Sequence, residues 1–325
     1  LPFMALYCRS AQEFLRERIV EDELDKQISD LRNGLKIYSN RYNKIKDEVL
    51  YSDEQQNQVF KDMLKFSFMR NWNIHYNLGV YFDREGHIIG DTQILNYFLN
   101  IPSVNFVNQK TRAFEIGQML GEKIRYILRE IFGLDLLKNN LEILNCPDYG
   151  YRDLNTNSKC DFLKNHDSKE LNLIVLHILS SLGFVEYILK PMLPKDNLWL
   201  FRVEYIAAHY AWSALKKIKQ HYDNNNTKKS SMPKNVNSIV GEGAKLFPSS
   251  FRNCMMHYDL RNNGTSVISQ EYFDFRKPFF GLIESCFEGK SYNQFTSELR
   301  YYMQELENFL SSWFYVDTKK IKWDL

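Results

Sequence analysis

The sequence predicts an all-α protein built as two helical bundles in tandem, with a small hairpin-like insert in the first. Two observations predict it. Apolar residues recur at spacings of three to five along most of the chain, as buried helix faces require. Each half also carries one copy of a polar pattern, "RNWNIHY" from Arg70 to Tyr76 and "RNCMMHY" from Arg252 to Tyr258. At 325 residues the chain can bury two separate cores.

The elements follow in order. Leu15, Ile19, Leu24, Ile28, Leu31, Leu35 and Tyr38 share one face of a long first helix. Ser52 is a suitable N-cap for a second, running through Phe60 and Leu64 into the first motif. "VYFDREGHIIGD" then breaks the period, and its alternation around Arg84-Glu85-Gly86 reads as a hairpin. Leu120, Ile124, Ile127, Ile131 and Leu134 restore a helical stripe. From Asp148 to Lys169 the chain is polar without periodicity, which marks a boundary between domains at 1–150 and 168–316, with a tail at 317–325. Helices resume over 170–189 and 198–222, and 223–238 reads as a loop. The next helix carries the second motif and ends near Gly264, a suitable C-terminal cap. Two more close the chain, the last bearing Phe295, Leu299, Tyr302, Leu306, Phe309 and Trp313.

Composition narrows the class. The 44% hydrophobic and 25% charged content is that of a soluble globular protein. No apolar run reaches the length of a membrane span and no signal peptide is recognisable, so no membrane partner is expected. The first residue is Leu, which leaves room for sequence upstream. The five cysteines are scattered and never form Cys-x-x-Cys, which argues against a disulfide framework or zinc ribbon and for a reducing, cytoplasmic setting. A net charge of +2 does not announce a nucleic-acid binder, although lysines cluster between Lys216 and Lys234 and again near the end. No His, Cys, Asp or Glu cluster has metal-ligand spacing, and there is no phosphate loop, nucleophile elbow or dinucleotide fingerprint. No cofactor or metal is expected.

The repeated pattern carries the chemistry. Arg-Asn-x-x-x-His should arise by chance roughly 0.04 times in such a chain. On a helix, Asn253 and His257 stack one turn apart, as do Asn71 and His75, while Arg252 and Arg70 leave about 100° round. The edge so formed presents a cation, an amide and an imidazole. That set suits RNA cleavage without a metal: His takes the 2′-hydroxyl proton near neutrality, and Arg stabilises charge growing on phosphorus. One copy supplies one imidazole, whereas the reaction uses a base and an acid, so two facing copies would complete the site.

Both stretches resemble the Arg-x(4–6)-His motif of HEPN domains, including the polar residue that follows Arg in nuclease members. The resemblance implies a metal-independent endoribonuclease that leaves 2′,3′-cyclic phosphate ends, in a fold that recurs in toxin–antitoxin and anti-phage defence. It assigns Arg252, Asn253 and His257, with Arg70, Asn71 and His75, as catalytic. Tyr76, Tyr258, Lys228 and Lys229 are the expected substrate contacts. The expected partners are single-stranded RNA, a second copy of the chain as homodimer, and an antitoxin or sensor protein. The alternative is a non-catalytic HEPN-like regulatory or nucleotide/RNA-binding module that kept the motif for structural reasons. A third match, Arg202 to His209, reads as structural because Val203 follows its Arg and the segment is an amphipathic helix. His177, in an apolar run, reads as a buried core imidazole, and neither His87 nor His166 has a ligand neighbour.

Overall fold

A computed structural model describes residues 2–15, 23–34, 37–38, 40–62, 75–99, 109–133, 147–157, 160–163, 168–194, 196–224, 235–257, 260–262 and 264–323. The fold is mostly helical, and it also contains a four-stranded antiparallel sheet.

Helices α1 (Pro2–Leu15) and α2 (Glu23–Gly34) pack on each other. Of the long helix expected from Leu15 to Tyr38, α2 supplies Glu23–Gly34 and Leu15 ends α1, while residues 16–22 and 35–36 lie outside the described residues. Helix α3 (Tyr42–Asp62) starts well before Ser52, which lies inside it. Strands β1 (Leu78–Phe82) and β2 (Ile88–Asp91) form the expected hairpin. Gly86 turns it with φ of 90°, and Asp83 Oδ1 accepts from the amides of Glu85 and His87 at 3.0 and 2.8 Å. Helices α4 (Thr92–Leu99) and α5 (Gln109–Phe132) follow. Ile116 and Leu120 of α5 make a small core with Ala5, Cys8, Ile28 and Leu31.

After β3 (Gly150–Leu154), Ser168 caps α6 (Lys169–Gly183) by accepting from the Leu171 amide. A π-helical stretch, Phe184–Leu189, and α7 (Lys190–Met192) continue it. By length and composition Lys169–Met192 would pass as a membrane span, contrary to the expectation from the sequence, but 78% of its apolar window is buried inside the protein. It is the central core helix, against α3, β2, α8 (Leu198–Asn224) and α12 (Tyr292–Ser311). Where α6 crosses β2, a Cβ on Gly183 would lie 1.9 Å from the Ile88 carbonyl oxygen, so only glycine permits the approach. Helices α9 (Val236–Leu246) and α10 (Ser249–His257) are separated at Phe247-Pro248, where proline disfavours a helical residue before it. Strands β4 (Arg261–Asn262) and β5 (Thr265–Ser266) come next, and Gly264, with φ of 81°, turns this hairpin rather than capping a helix. Helix α11 (Leu282–Cys286) precedes α12, which a Ser291–Gln294 capping box starts and whose face of Phe295, Leu299, Tyr302, Leu306 and Phe309 is buried as expected. Strand β6 (Lys322–Trp323) ends the described chain.

The sheet runs β2-β1-β3-β6. Leu78, Val80 and Phe82 alternate inward from β1 and are at most 3% exposed. The segment expected as a polar boundary thus supplies β3, a central strand paired with β1 from Leu78↔Leu154 to Phe82↔Gly150, and the expected tail supplies β6. Only Gly150 and Leu154 of β3 are buried, which is why its polar middle did not read as a strand. One continuous hydrophobic cluster draws residues from Phe3 to Ile321.

Candidate functional site

The second motif is presented by α10. Phe251, Cys254, Met255 and Met256 are buried and seat the helix, Phe251 meeting the Tyr205 ring edge-on at 4.9 Å between centroids. The opposite edge leaves Arg252 and Asn253 partly exposed and His257 exposed in the last turn. Asn253 and His257 therefore share a stripe, as the spacing predicts. From α8, Arg202 Nη2 donates to the Cys254 carbonyl at 3.1 Å, satisfying one of the orphan acceptors at the helix end. Arg202 is 4% exposed, so it braces the site rather than lining it.

His209, one helical face along α8, is buried against Phe247 and Trp212. Burial first, then the charges of Arg252 and Lys217, push its pKa down to about 3. This has a consequence for stability. The folded value lies below the unfolded value of about 6.5, so stability is fully present above that pH and is lost as pH falls through it. Between pH 6.5 and 5 the loss should be on the order of 2 kcal/mol. Urea titrations at the two pH values should show it in the wild type and show a correspondingly smaller loss in His209→Phe. Equal losses in both proteins would refute the assignment.

Of the first motif, His75 and Tyr76 fall within the described residues. His75 sits at a bend three residues ahead of β1, not on a helix, and is 6% exposed. Its Nε2 lies 2.7 Å from Asn57 Oδ1, an oxygen that also accepts from Asn157 Nδ2 at 2.9 Å. Nε2 is therefore the donor, and Nδ1 is left buried without a partner. Burial and the Lys61 ammonium hold the imidazole below its usual pKa.

His75 is the edge of a larger buried polar network that no motif in the sequence marks. Asp53 Oδ1 accepts from Gln93 Nε2 at 2.8 Å and Thr156 Oγ1 at 3.0 Å, and Asp53 Oδ2 pairs with Lys169. Gln56 Nε2 reaches the Asn77 carbonyl and Thr92 Oγ1, each at 2.6 Å. His177 Nε2 lies 3.1 Å from Gln93 Oε1 and 3.5 Å from Asp91 Oδ1, and burial lowers its pKa. The network joins α3, β2, the turn after β3 and α6. A signal existed in α3: its inner stripe begins with Tyr42, Ile45 and Val49 and continues with Asp53, Gln56 and Asn57.

Beside His75, Tyr76 is 61% exposed and lines a cleft of about 460 Å³ with Arg152, Asp153, Asp161, Lys320 and Lys322. Helix α10 rests on α8, α11 and β4, whereas His75 is tied to α3. Arg70, Asn71, Tyr258, Lys228 and Lys229 lie outside the described residues. Among the described residues, no group of three His, Cys, Asp or Glu side chains could hold a metal ion. No family model, curated protein or solved structure matches the chain.

Proposed function

We propose that the chain is a metal-independent endoribonuclease whose chemistry resides on the α10 edge of Arg252, Asn253 and His257. The observation that carries this reading is the presentation of that edge: His257 exposed, Asn253 one turn before it, and Arg252 alongside. His257 takes the proton of a 2′-hydroxyl, whose oxygen then attacks the adjacent phosphorus. The bond to the 5′-oxygen breaks and that oxygen takes up a proton, leaving a 2′,3′-cyclic phosphate and a 5′-hydroxyl. Arg252 stabilises the charge gathered on the phosphoryl oxygens, and Asn253 positions the imidazole or an oxygen. The resemblance to HEPN nucleases supports the same assignment.

His75 fits a different role. Its buried ring, held by Asn57, ties the bend to α3, so the first copy is read as structural. The second proton-transfer group then comes from the α10 edge of another copy of the chain, in a homodimer. Because every charge and proton in the scheme is supplied by side chains, cleavage of single-stranded RNA should be undiminished in excess EDTA. Its products should carry the cyclic phosphate, read by end-group analysis. A requirement for added magnesium or manganese would overturn the reading.

A further inference from the structure

The cleft beside β3 has the makings of a second, separate recognition surface. Among the described residues β6 pairs with Gly150 and Tyr151, and the cleft lies beside the rest of β3, lined by Arg152, Asp153 and Leu154. The two segments touch at Gly150, where a Cβ would lie 2.5 Å from the Ile321 side chain. A volume of about 460 Å³ falls within the range of small-ligand sites.

Its walls suit a polynucleotide. Three cations line it: Arg152, Lys320 and Lys322. Two carboxylates hold them in place. Asp161 pairs with both Arg152 and Lys320, and Asp153 accepts from Lys322 at 3.2 Å, leaving one net positive charge. The Arg152 guanidinium is 89% buried by its side chain's 11% exposure, and its Nη1 is a buried donor without an acceptor. That atom faces the interior, where the guanidinium lies 5.9 Å from the centre of the Phe162 ring, so the exposed ends of Lys320 and Lys322 are the cations most open to a phosphodiester. Lys322 lies 5.3 Å from the centre of the Tyr151 ring, and the exposed Tyr76 ring lines the same cleft. Exposed aromatics beside backbone-neutralising cations are how single strands are held without sequence readout.

We propose that this cleft binds a single-stranded polynucleotide, stacking a base on Tyr76 and placing backbone phosphates against Lys320 and Lys322. The binding does not require the chemistry assigned to α10. The test uses fluorescein-labelled decamers of oligouridylate with 2′-O-methyl groups, which cannot form a cyclic phosphate, and of oligothymidylate. Fluorescence anisotropy across a salt series then compares the full-length wild type with variants. Lys320→Gln/Lys322→Gln should weaken binding about tenfold, and its log–log salt slope should be shallower by about 1.4, for two lost contacts. Tyr76→Ala should weaken binding roughly tenfold through lost stacking. Asp161→Asn should tighten binding by releasing Arg152 and Lys320, a gain that misfolding cannot produce. Preference for one of the two oligomers identifies the strand as RNA or DNA. A wild type that binds neither, or cleft variants that bind like it, would overturn the proposal.

Discussion

Replacing Asp53 with Ala is expected to destabilise the protein by about 3 kcal/mol, while leaving the α10 edge in place. Asp53 is 3% exposed and anchors the buried network. Without its carboxylate, the donors of Gln93 and Thr156 lose their acceptor and Lys169 loses its counter-ion. Removing one partner of a fully buried ion pair costs about 3–5 kcal/mol. Lys169 is 31% exposed and can turn to water, which sets the value at the low end. Asp53→Asn, which keeps one acceptor oxygen and the shape, should cost clearly less than Asp53→Ala. Urea denaturation reads both as a lower midpoint at an unchanged slope. An Asp53→Ala midpoint equal to that of the wild type would show that the network does not hold the fold together.

The same network shows how far the sequence could be read. Stripes of apolar residues placed α5, α8 and α12, because burial there is a matter of hydrophobic area and leaves a period. The hairpin around Gly86 was legible for its turn chemistry. Strand β3 was not, since a strand with Tyr151, Arg152 and Asp153 at its centre buries only its ends. Nor was β6, which is two residues long and exists only because β3 offers it an edge. The second motif was legible as a helix edge because Arg252, Asn253 and His257 all fall on α10. The position of His75 was not. Its partner Asn57 lies in α3 and also accepts from the distant Asn157, and no local spacing encodes such bonds. The cleft at Tyr76 likewise joins residues from three distant segments.

Arg252→Ala should lower RNA cleavage by about 10²–10³-fold, the effect of removing one preorganised donor to a charge that builds in the transition state. Arg252 is partly exposed, and the helix is seated by Phe251 and Cys254 on its other side, so stability should change little. Arg252→Lys keeps the charge without the planar fork and should recover only part of the rate. A rate unchanged in Arg252→Ala would remove the charge-stabilising role.

The measurement that bears most directly on the account is the cleavage rate of His257→Ala beside that of His75→Ala, each at a temperature where it is fully folded. His257→Ala is expected to lose about 10²–10⁴-fold in rate with an unaltered unfolding midpoint. His75→Ala should unfold at lower urea, having lost its bond to Asn57, yet cleave RNA at the wild-type rate while folded. A folded but inactive His75→Ala beside a fully active His257→Ala would contradict the account.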